Sequence, residues 1–221
     1  VVPGFIEGHG HYMSLGESLG TLDLRRAQRW EDIVAQVKSA VATAAPGTGV
    51  VGRGWHEEKW RGLPDDAVGG VPTNVALTDV APRNPVALEH ASGHGVIVNA
   101  AALALAGIDA KATDPTGGQV VRDANGTPTG WLVDTAADPV YAAQQRALAA
   151  LPVAEQRRLR VEQVRRAGQE ALSKGVTTFH DAGASFATID LYRELAAAGE
   201  LPVRLYAMVG GESNERLAQE L

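Results

Sequence analysis

The carboxyl-terminal third of the chain alternates between helical and strand patterns of apolar residues. Apolar positions recur at helical spacing in two segments, which end at Gly175 and Gly199, and a short apolar run follows each of them. The predicted elements are helices at residues 152–174 and 186–198, strands at residues 176–180 and 203–209, and a last helix that begins near Ser213. This order, with short connections, predicts parallel strands joined by right-handed crossovers.

The preceding residues show two further patterns. Residues 1–7 predict a first strand, and residues 30–44 predict an amphipathic helix that ends before Pro46. From residue 49 onward the apolar runs are short and interrupted by Gly and Pro. We expect extended segments at residues 50–51, 86–88, 119–121 and 131–133, a short helix at residues 99–106, and a hairpin turn at Asn125-Gly126.

Two histidines, His9 and His11, follow the first predicted strand. Side chains two residues apart in a strand point to the same face, so both imidazoles aim into one small volume. Neutral imidazole is the commonest protein ligand for zinc and similar metals. We therefore predict that His9 and His11 ligate a metal. The alternative is a pair of surface or core histidines that bind nothing.

The parallel α/β pattern and the histidines at a strand end together predict part of a TIM (β/α)8 barrel, in which functional sites lie at the C-terminal ends of strands. Such a barrel takes about 250 residues, and only three strands here fit it, so we expect the barrel to be incomplete in this chain. The expected parts are the first barrel strand and helix at residues 1–48, a large mixed α+β insertion at residues 49–138, and further, truncated barrel elements at residues 139–221.

Composition narrows the class of function. The 221 residues carry a formal net charge of −6 and no cysteine. An acidic chain argues against a nucleic-acid or anionic-membrane partner, and the lack of cysteine excludes disulfides, cysteine-type zinc sites and a thiol nucleophile. No run approaches the roughly 18 apolar residues of a membrane span. Because the chain begins at Val1, we expect that something upstream was removed or not recorded. A bacterial-type soluble protein is expected, in the cytoplasm or the periplasm.

Several motifs resemble those of the metal-dependent amidohydrolase superfamily. Residues 3–11 match its first barrel strand, Pro-Gly-Phe-Ile-Asp-x-His-x-His, with Glu7 in the place of the aspartate. The insertion resembles that of the branch that includes N-substituted formamide deformylase and related uncharacterised hydrolases. Ordered matches to this branch lie at residues 52–55, 85–94, 99, 102–103, 117–123, 126–130 and 175–181.

The resemblance implies a hydrolase of carbon–nitrogen bonds other than peptide bonds, acting on a small-molecule linear, N-formyl or cyclic amide. In a complete relative, His9 and His11 hold one metal of a centre of one or two divalent ions, with zinc expected, and metal-bound hydroxide attacks the carbonyl. The other ligands and the catalytic aspartate come from later strands of the family. We therefore assign no catalytic residue in this chain, which looks like an N-terminal fragment of the catalytic domain and is expected to be inactive alone. Whether the protein forms a homo-oligomer is left open by the sequence.

Four residues are candidate substrate contacts. His94 lies in a Gly-flanked loop and by resemblance faces the substrate pocket; a loop-stabilising histidine is the alternative. Trp55 lines the pocket or belongs to the core. Asn99 contacts the substrate or caps the following helix. His180 ends a barrel strand, where it contacts the substrate or bonds to a loop.

Two other histidine patterns fall short of metal motifs. The segment His56-Glu57-Glu58 fails as His-Glu-x-x-His because Trp60 stands in the place of the second histidine. His90 and His94 are four residues apart, but the Ser-Gly pair between them disfavours a helix, so we do not interpret them as a ligand pair.

Two other classes of function remain open from the sequence. The chain could be a non-catalytic α/β module or inactive fragment that binds no metal, or the same metal barrel could act as a deaminase or an esterase. Metal ligands at later strand ends of the parent sequence would distinguish the hydrolase from a non-catalytic module. Substrate screening would distinguish it from a deaminase or an esterase.

Overall fold

A computed structural model of the chain describes residues 2–220 and has a mixed α/β fold. The strands are β1 (Phe5–Gly10), β2 (Leu22–Asp23), β3 (Val50–Trp55), β4 (Val86–His90), β5 (Gly95–Val98), β6 (Gly118–Arg122), β7 (Pro128–Asp134), β8 (Val176–Ala184) and β9 (Arg204–Val209). The α-helices are α1 (Tyr12–Ser18), α2 (Trp30–Val41), α3 (Val75–Val80), α4 (Ala100–Ala106), α5 (Asp138–Ala149), α6 (Val153–Ser173), α7 (Phe186–Ala197) and α8 (Asn214–Glu220).

The chain divides into two compact units. Unit 1 comprises Val1–Gly20 and Leu151–Leu221, and unit 2 comprises Thr21–Ala150. The sequence predicts divisions after residues 48 and 138 instead. The difference arises because α2 belongs to unit 2, where Trp30, Ile33 and Val37 are buried in its core. The expected assignment of barrel and insertion segments stays a prediction.

Unit 1 contains a parallel sheet in the order β1-β8-β9. Its core is formed by apolar residues of the sheet, α1, α6 and α7, among them Phe179, Val164 and Leu191. Helices α1 and α6 approach closely at Gly16, where a Cβ would lie only 2.0 Å from the backbone oxygen of Gln163. A larger residue at this position would have to push the two helices apart, so the glycine sets how α1 packs.

Unit 2 contains a mixed sheet in the order β2-β3-β4-β5-β7-β6. The first three strands are parallel, and each pair from β4 through β6 is antiparallel. Helix α2 covers part of the sheet with its apolar face, while α4 and α5 contribute to a second cluster around Leu132 and Val98. All four tryptophans of the chain lie in this unit.

The buried side chain of Asn99 joins three segments of unit 2. Its amide oxygen accepts hydrogen bonds from the backbone N–H groups of Val86 at 2.9 Å and Ala102 at 3.0 Å. Its amide nitrogen donates to the carbonyls of Ala81 at 2.8 Å and Asn84 at 2.9 Å. The side chain has no exposed surface, and both its donors and both its lone pairs are used. Asn99 therefore caps α4 and anchors the start of β4.

The elements with strong periodicity are found where the sequence predicts them. The helices predicted at residues 30–44, 99–106, 152–174 and 186–198 correspond to α2, α4, α6 and α7. The predicted hairpin at Asn125-Gly126 is confirmed, because β6 and β7 are antiparallel neighbours. The first strand, predicted at residues 1–7, is wrong by about three residues: β1 begins at Phe5 and ends at Gly10, so it contains His9. Val1 lies outside the described residues.

Among residues 2–220, no helix has the length and apolar character required to cross a membrane.

We expect Asn99→Ala to lower the free energy of unfolding of unit 2 by about 3 kcal/mol, because it removes a helix cap and leaves buried backbone groups unpaired. Urea unfolding followed by tryptophan fluorescence measures this unit specifically, since all four tryptophans lie in it. Asn125→Ala, at an exposed hairpin position, is the matched control and should change the value by less than about 0.5 kcal/mol. Equal effects of the two substitutions would contradict the structural role of Asn99.

Candidate functional site

The two histidines of the first strand lie at the end of the parallel sheet of unit 1. Strand β1 pairs with β8, and Gly10 is the register partner of Asp181. A Cβ at Gly10 would lie 2.4 Å from the ring of Phe179, so the position between the histidines has no room for a side chain while that ring packs there. The glycine lets β1 approach β8 closely and brings His11 next to the end of β8.

A short hydrogen bond orients His11. Its Nδ1 lies 2.6 Å from the carbonyl oxygen of Ala182. A carbonyl oxygen only accepts, so Nδ1 carries the proton and the Nε2 lone pair of the neutral ring stays free. In proteins, a metal-ligating histidine almost always donates its other ring N–H in this way. The arrangement therefore fits a histidine that offers Nε2 to a metal ion.

His9 lies beside His11 in an arrangement suited to a shared ligand. The ring centroids are 5.8 Å apart, with the planes at 81°. Two imidazoles bound to one ion at about 2.0–2.1 Å have centroids about 5–6 Å apart, so the pair fits a common metal. Among residues 2–220, no third histidine or carboxylate joins these two rings to form a cluster of ligand atoms. The described residues thus offer two ligands of the three or four that zinc takes in proteins.

The carboxylate of Asp181 is buried directly behind this strand end. Its Oδ1 accepts from the backbone N–H of Tyr12 and its Oδ2 from the hydroxyl of Tyr192, each at 2.8 Å. Burial, followed by the hydrogen bond to Asp181 and its charge, raises the pKa of Tyr192 far above its usual range, so the tyrosine remains a donor. Both carboxylate oxygens are therefore engaged inside unit 1, and Asp181 holds the start of α1 against β8 and α7.

A cleft of about 280 Å³ opens at this end of unit 1. Its lining includes His11, Asp181, Ser185, Gly183 near the end of β8, and the two glycines that follow β9. His180, the candidate substrate contact from β8, does not line it. That ring lies against Tyr206 of β9, with centroids 5.1 Å apart, and is partly exposed. Its assignment as a substrate contact stays a prediction.

His94 of unit 2 forms a hydrogen bond with an aspartate that the sequence analysis did not identify. Its Nδ1 lies 2.9 Å from Oδ1 of Asp134, at the end of β7. Because the carboxylate only accepts, Nδ1 carries the proton, and Nε2 is the atom left for another partner. The His94 side chain is 78 % exposed, so this nitrogen is open to a ligand. The geometry fits the expected substrate contact, which stays a prediction.

Asp134 has an unusual backbone conformation. It is the only non-glycine residue between residues 2 and 220 with a positive φ, at 48° with ψ of −123°. Such conformations cost about 1–3 kcal/mol and persist where the surrounding structure imposes them. Here the backbone N–H of Asp134 donates to the carbonyl of His94 at 2.9 Å, while its side chain bonds to the ring of the same residue. In the sequence, the one indication that Asp134 has a functional role is its position directly after an apolar strand.

Trp55 and Asn99 lie in the core of unit 2, whereas the sequence analysis offered each of them as a candidate substrate contact. The indole of Trp55 has no exposed surface and donates to the backbone oxygen of Leu88 at 2.9 Å. Asn99 is equally buried, and its amide is fully hydrogen-bonded to backbone groups. Neither side chain has a polar atom to offer a ligand, so the structural alternative, core packing for Trp55 and a helix cap for Asn99, describes both.

Sequence comparison finds relatives in other organisms. The chain is 34 % identical over 186 residues to LONG AFTER FAR-RED 3 of Arabidopsis thaliana, which covers 84 % of this chain and 29 % of that protein. It is 31 % identical to N-substituted formamide deformylase of Arthrobacter pascens, over 96 % of this chain and 38 % of the relative. The chain thus spans about a third of the length of these curated relatives.

Comparison with solved structures supports the fold. An uncharacterised metal-dependent hydrolase from Pyrococcus horikoshii matches 98 % of this chain and 38 % of its own, with a TM-score of 0.66 at 21 % sequence identity. A family model described as the amidohydrolase family matches residues 1–221. The resemblance in the strand that carries His9 and His11 thus extends over the whole chain, which belongs to the amidohydrolase family.

Proposed function

We propose that this chain is part of a metal-dependent hydrolase that cleaves carbon–nitrogen bonds other than peptide bonds in a small molecule. Membership of the amidohydrolase family supports this, as does the relative whose name describes deformylation of N-substituted formamides. We further propose that the parallel strands of unit 1 belong to a (β/α)8 barrel and that the mixed sheet of unit 2 belongs to its insertion. The class of bond follows from the family, and the individual amide is left to experiment.

The observation that carries the proposal is the hydrogen bond from His11 Nδ1 to the carbonyl oxygen of Ala182. It selects the tautomer in which Nε2 has a free lone pair, and it limits rotation of the ring. His9 stands next to it at a separation that suits a shared ion. We assign these two imidazoles as ligands of one divalent ion, with zinc as the first choice because imidazole suits it.

When bound, such an ion lowers the pKa of water and polarises a carbonyl oxygen. The residues of this chain position it. Gly10 allows β1 to approach β8, Ala182 orients His11, and Asp181 holds the first turn of α1 immediately after that histidine. The hydrogen bond to Ala182 restrains the His11 ring before the ion arrives, which limits the reorganisation that binding requires of this ligand.

In unit 2, we assign His94 as a hydrogen-bonding contact to the substrate through Nε2, with Asp134 as its positioning residue. The strained backbone of Asp134 supports this role, because residues in rare conformations concentrate at functional sites. The same carboxylate orients the imidazole and engages the Nδ1 proton, which leaves Nε2 to accept from a substrate N–H.

In the whole gene product, we expect His9→Ala and His11→Ala each to lower the metal content by one ion per chain, because each removes one imidazole from a site that has few ligands. Turnover of N-formyl and linear amides should fall at least a thousandfold. Metal analysis after gel filtration and an assay of released amine measure the two effects. His94→Ala is the control and should retain the metal. Unchanged metal content in both strand variants would show that the ligand assignment is wrong.

We expect Asp134→Gly to separate stability from function. Glycine adopts a positive φ without cost, so the melting temperature should stay unchanged or rise, while loss of the carboxylate frees the His94 ring. In the whole gene product KM should rise about tenfold with kcat nearly unchanged, since His94 contributes binding in this proposal. Asp134→Asn should recover part of the affinity because an amide oxygen still accepts from Nδ1.

Asp79→Asn, at an exposed position in α3, is the matched control for Asp134→Asn and should leave KM, kcat and the melting temperature unchanged. A fall in kcat with unchanged KM in the Asp134 variants would contradict a positioning role in substrate binding.

A further inference from the structure

Three side chains with metal-binding atoms meet at one edge of the sheet of unit 2. His56 follows β3 directly and His90 ends β4, and these strands are parallel neighbours in which Trp55 and His90 are register partners. Glu57 follows His56 in a single 3-10 turn. The carboxyl ends of adjacent parallel strands form a common edge, where ligands bind in open α/β sheets. One ligand atom from each of the three lies within 4.8 Å of the others.

The two distances from Glu57 to the imidazole nitrogens are close to those of a tetrahedral site. Nε2 of His90 lies 3.0 Å and Nδ1 of His56 lies 3.6 Å from the same oxygen of Glu57, Oε2. In a tetrahedral zinc site with bonds of about 2.0–2.1 Å, neighbouring ligand atoms are about 3.3 Å apart. The two measured distances lie on either side of this value, so a small movement of the side chains would accommodate an ion.

The hydrogen bonds around the rings permit this coordination. His56 Nδ1 accepts from the backbone N–H of Glu58 at 3.3 Å, so that nitrogen carries a lone pair and no proton. In His90, Nε2–H donates to Glu57, while Nδ1 accepts from the backbone N–H of Ser92 at 3.2 Å and lies 2.8 Å from the Ser92 hydroxyl. When an ion takes the place of the Nε2 proton, that proton is released and the ring takes up a proton on Nδ1. The backbone N–H of Ser92 must then give up its bond to Nδ1, and the Ser92 hydroxyl becomes the acceptor for the new N–H. The ring remains neutral, and its other N–H has the partner that ligating histidines require.

Packing holds His90 in place and keeps it neutral. The ring contacts Trp55 edge-on, with centroids 4.7 Å apart, and only 7 % of the residue is exposed. Burial lowers the pKa of His90 in spite of the nearby Glu57 carboxylate. The side chains of His56 and Glu57 are 28 % and 29 % exposed, which leaves one side open to water. Two imidazoles, one carboxylate and a water form a common ligand set for zinc.

We propose that His56, Glu57 and His90 bind a divalent cation of the zinc type and thereby join the carboxyl ends of β3 and β4. Nothing in the proposed hydrolase function requires this site, and neither His9 nor His11 contributes to it. Ser92 connects this site to His94, because its hydroxyl bonds to His90 and accepts from the backbone N–H of His94 at 3.1 Å. Binding of the ion therefore stiffens the loop that carries His94.

The test is a cobalt(II) titration of the 221-residue chain in which His9 and His11 are both replaced by alanine. We expect one cobalt ion per chain, the visible absorption bands of a four- or five-coordinate ion, and a higher melting temperature, because only the folded state binds. Zinc should displace cobalt and abolish the bands. Glu57→Gln or His56→Ala should weaken binding at least tenfold and remove the rise in melting temperature.

Glu58→Gln is the matched control, since Glu58 is exposed and neighbours Glu57 but offers no ligand to the cluster. This variant should bind cobalt with the same affinity as the chain that carries only the two alanine substitutions. His90 is buried, so its replacement can unfold unit 2. The substitutions are therefore made at His56 and Glu57, which are partly exposed. Absence of cobalt binding in the double-alanine background, or equal affinity of Glu57→Gln and Glu58→Gln, would overturn this site and leave the proposed hydrolase untouched. Binding in that background, together with unaltered metal content in His9 and His11 variants of the whole protein, would instead reject the ligand pair of β1.

Discussion

The buried carboxylate of Asp181 is the interaction on which the histidine-bearing end of unit 1 depends. A buried charge is stable only where donors compensate for its lost hydration, and here the first backbone N–H of α1 and the hydroxyl of Tyr192 do so. The chain therefore turns into α1 immediately after His11. The next residue of β8, Ala182, accepts the Nδ1 proton of that histidine. Two consecutive residues of one strand thus determine both the path of the chain and the tautomer of the ring.

In unit 2, the polar residues are positioned differently, by strand pairing that aligns the strand ends and turns of one sheet. The parallel pairing of β3 with β4 brings His56 and Glu57 to His90, and the antiparallel pairing of β5 with β7 brings His94 to Asp134. The cost of the second contact is visible in the backbone of Asp134, whose positive φ an aspartate rarely adopts. Polar residues at these ends are held by hydrogen bonds to neighbours that are distant in sequence.

The success of prediction from the sequence followed the strength of the local signal. Helices α2, α6 and α7 have long apolar faces and clear ends, and β6 and β7 flank an Asn-Gly turn, so their positions follow from short-range preferences. The short α1 was missed, since its seven residues include Gly16 and it is held by packing against α6. Asn99 carries a cap signal and a motif match alike, and only its four buried hydrogen bonds distinguish a structural from a binding role.

The sequence by itself indicated the α/β class of fold, the family, and His9 and His11 as the candidate ligand pair, because periodicity, turn residues and a strand motif are local properties of the chain. Only the tertiary structure decided which tautomer His11 adopts, that Asp134 accompanies His94, and that Trp55 belongs to the core. It also brought His56 and Glu57 to His90, 33 residues away from Glu57 along the chain. These facts depend on which strands become neighbours, and strand pairing is set by the packing of the whole unit rather than by any segment alone.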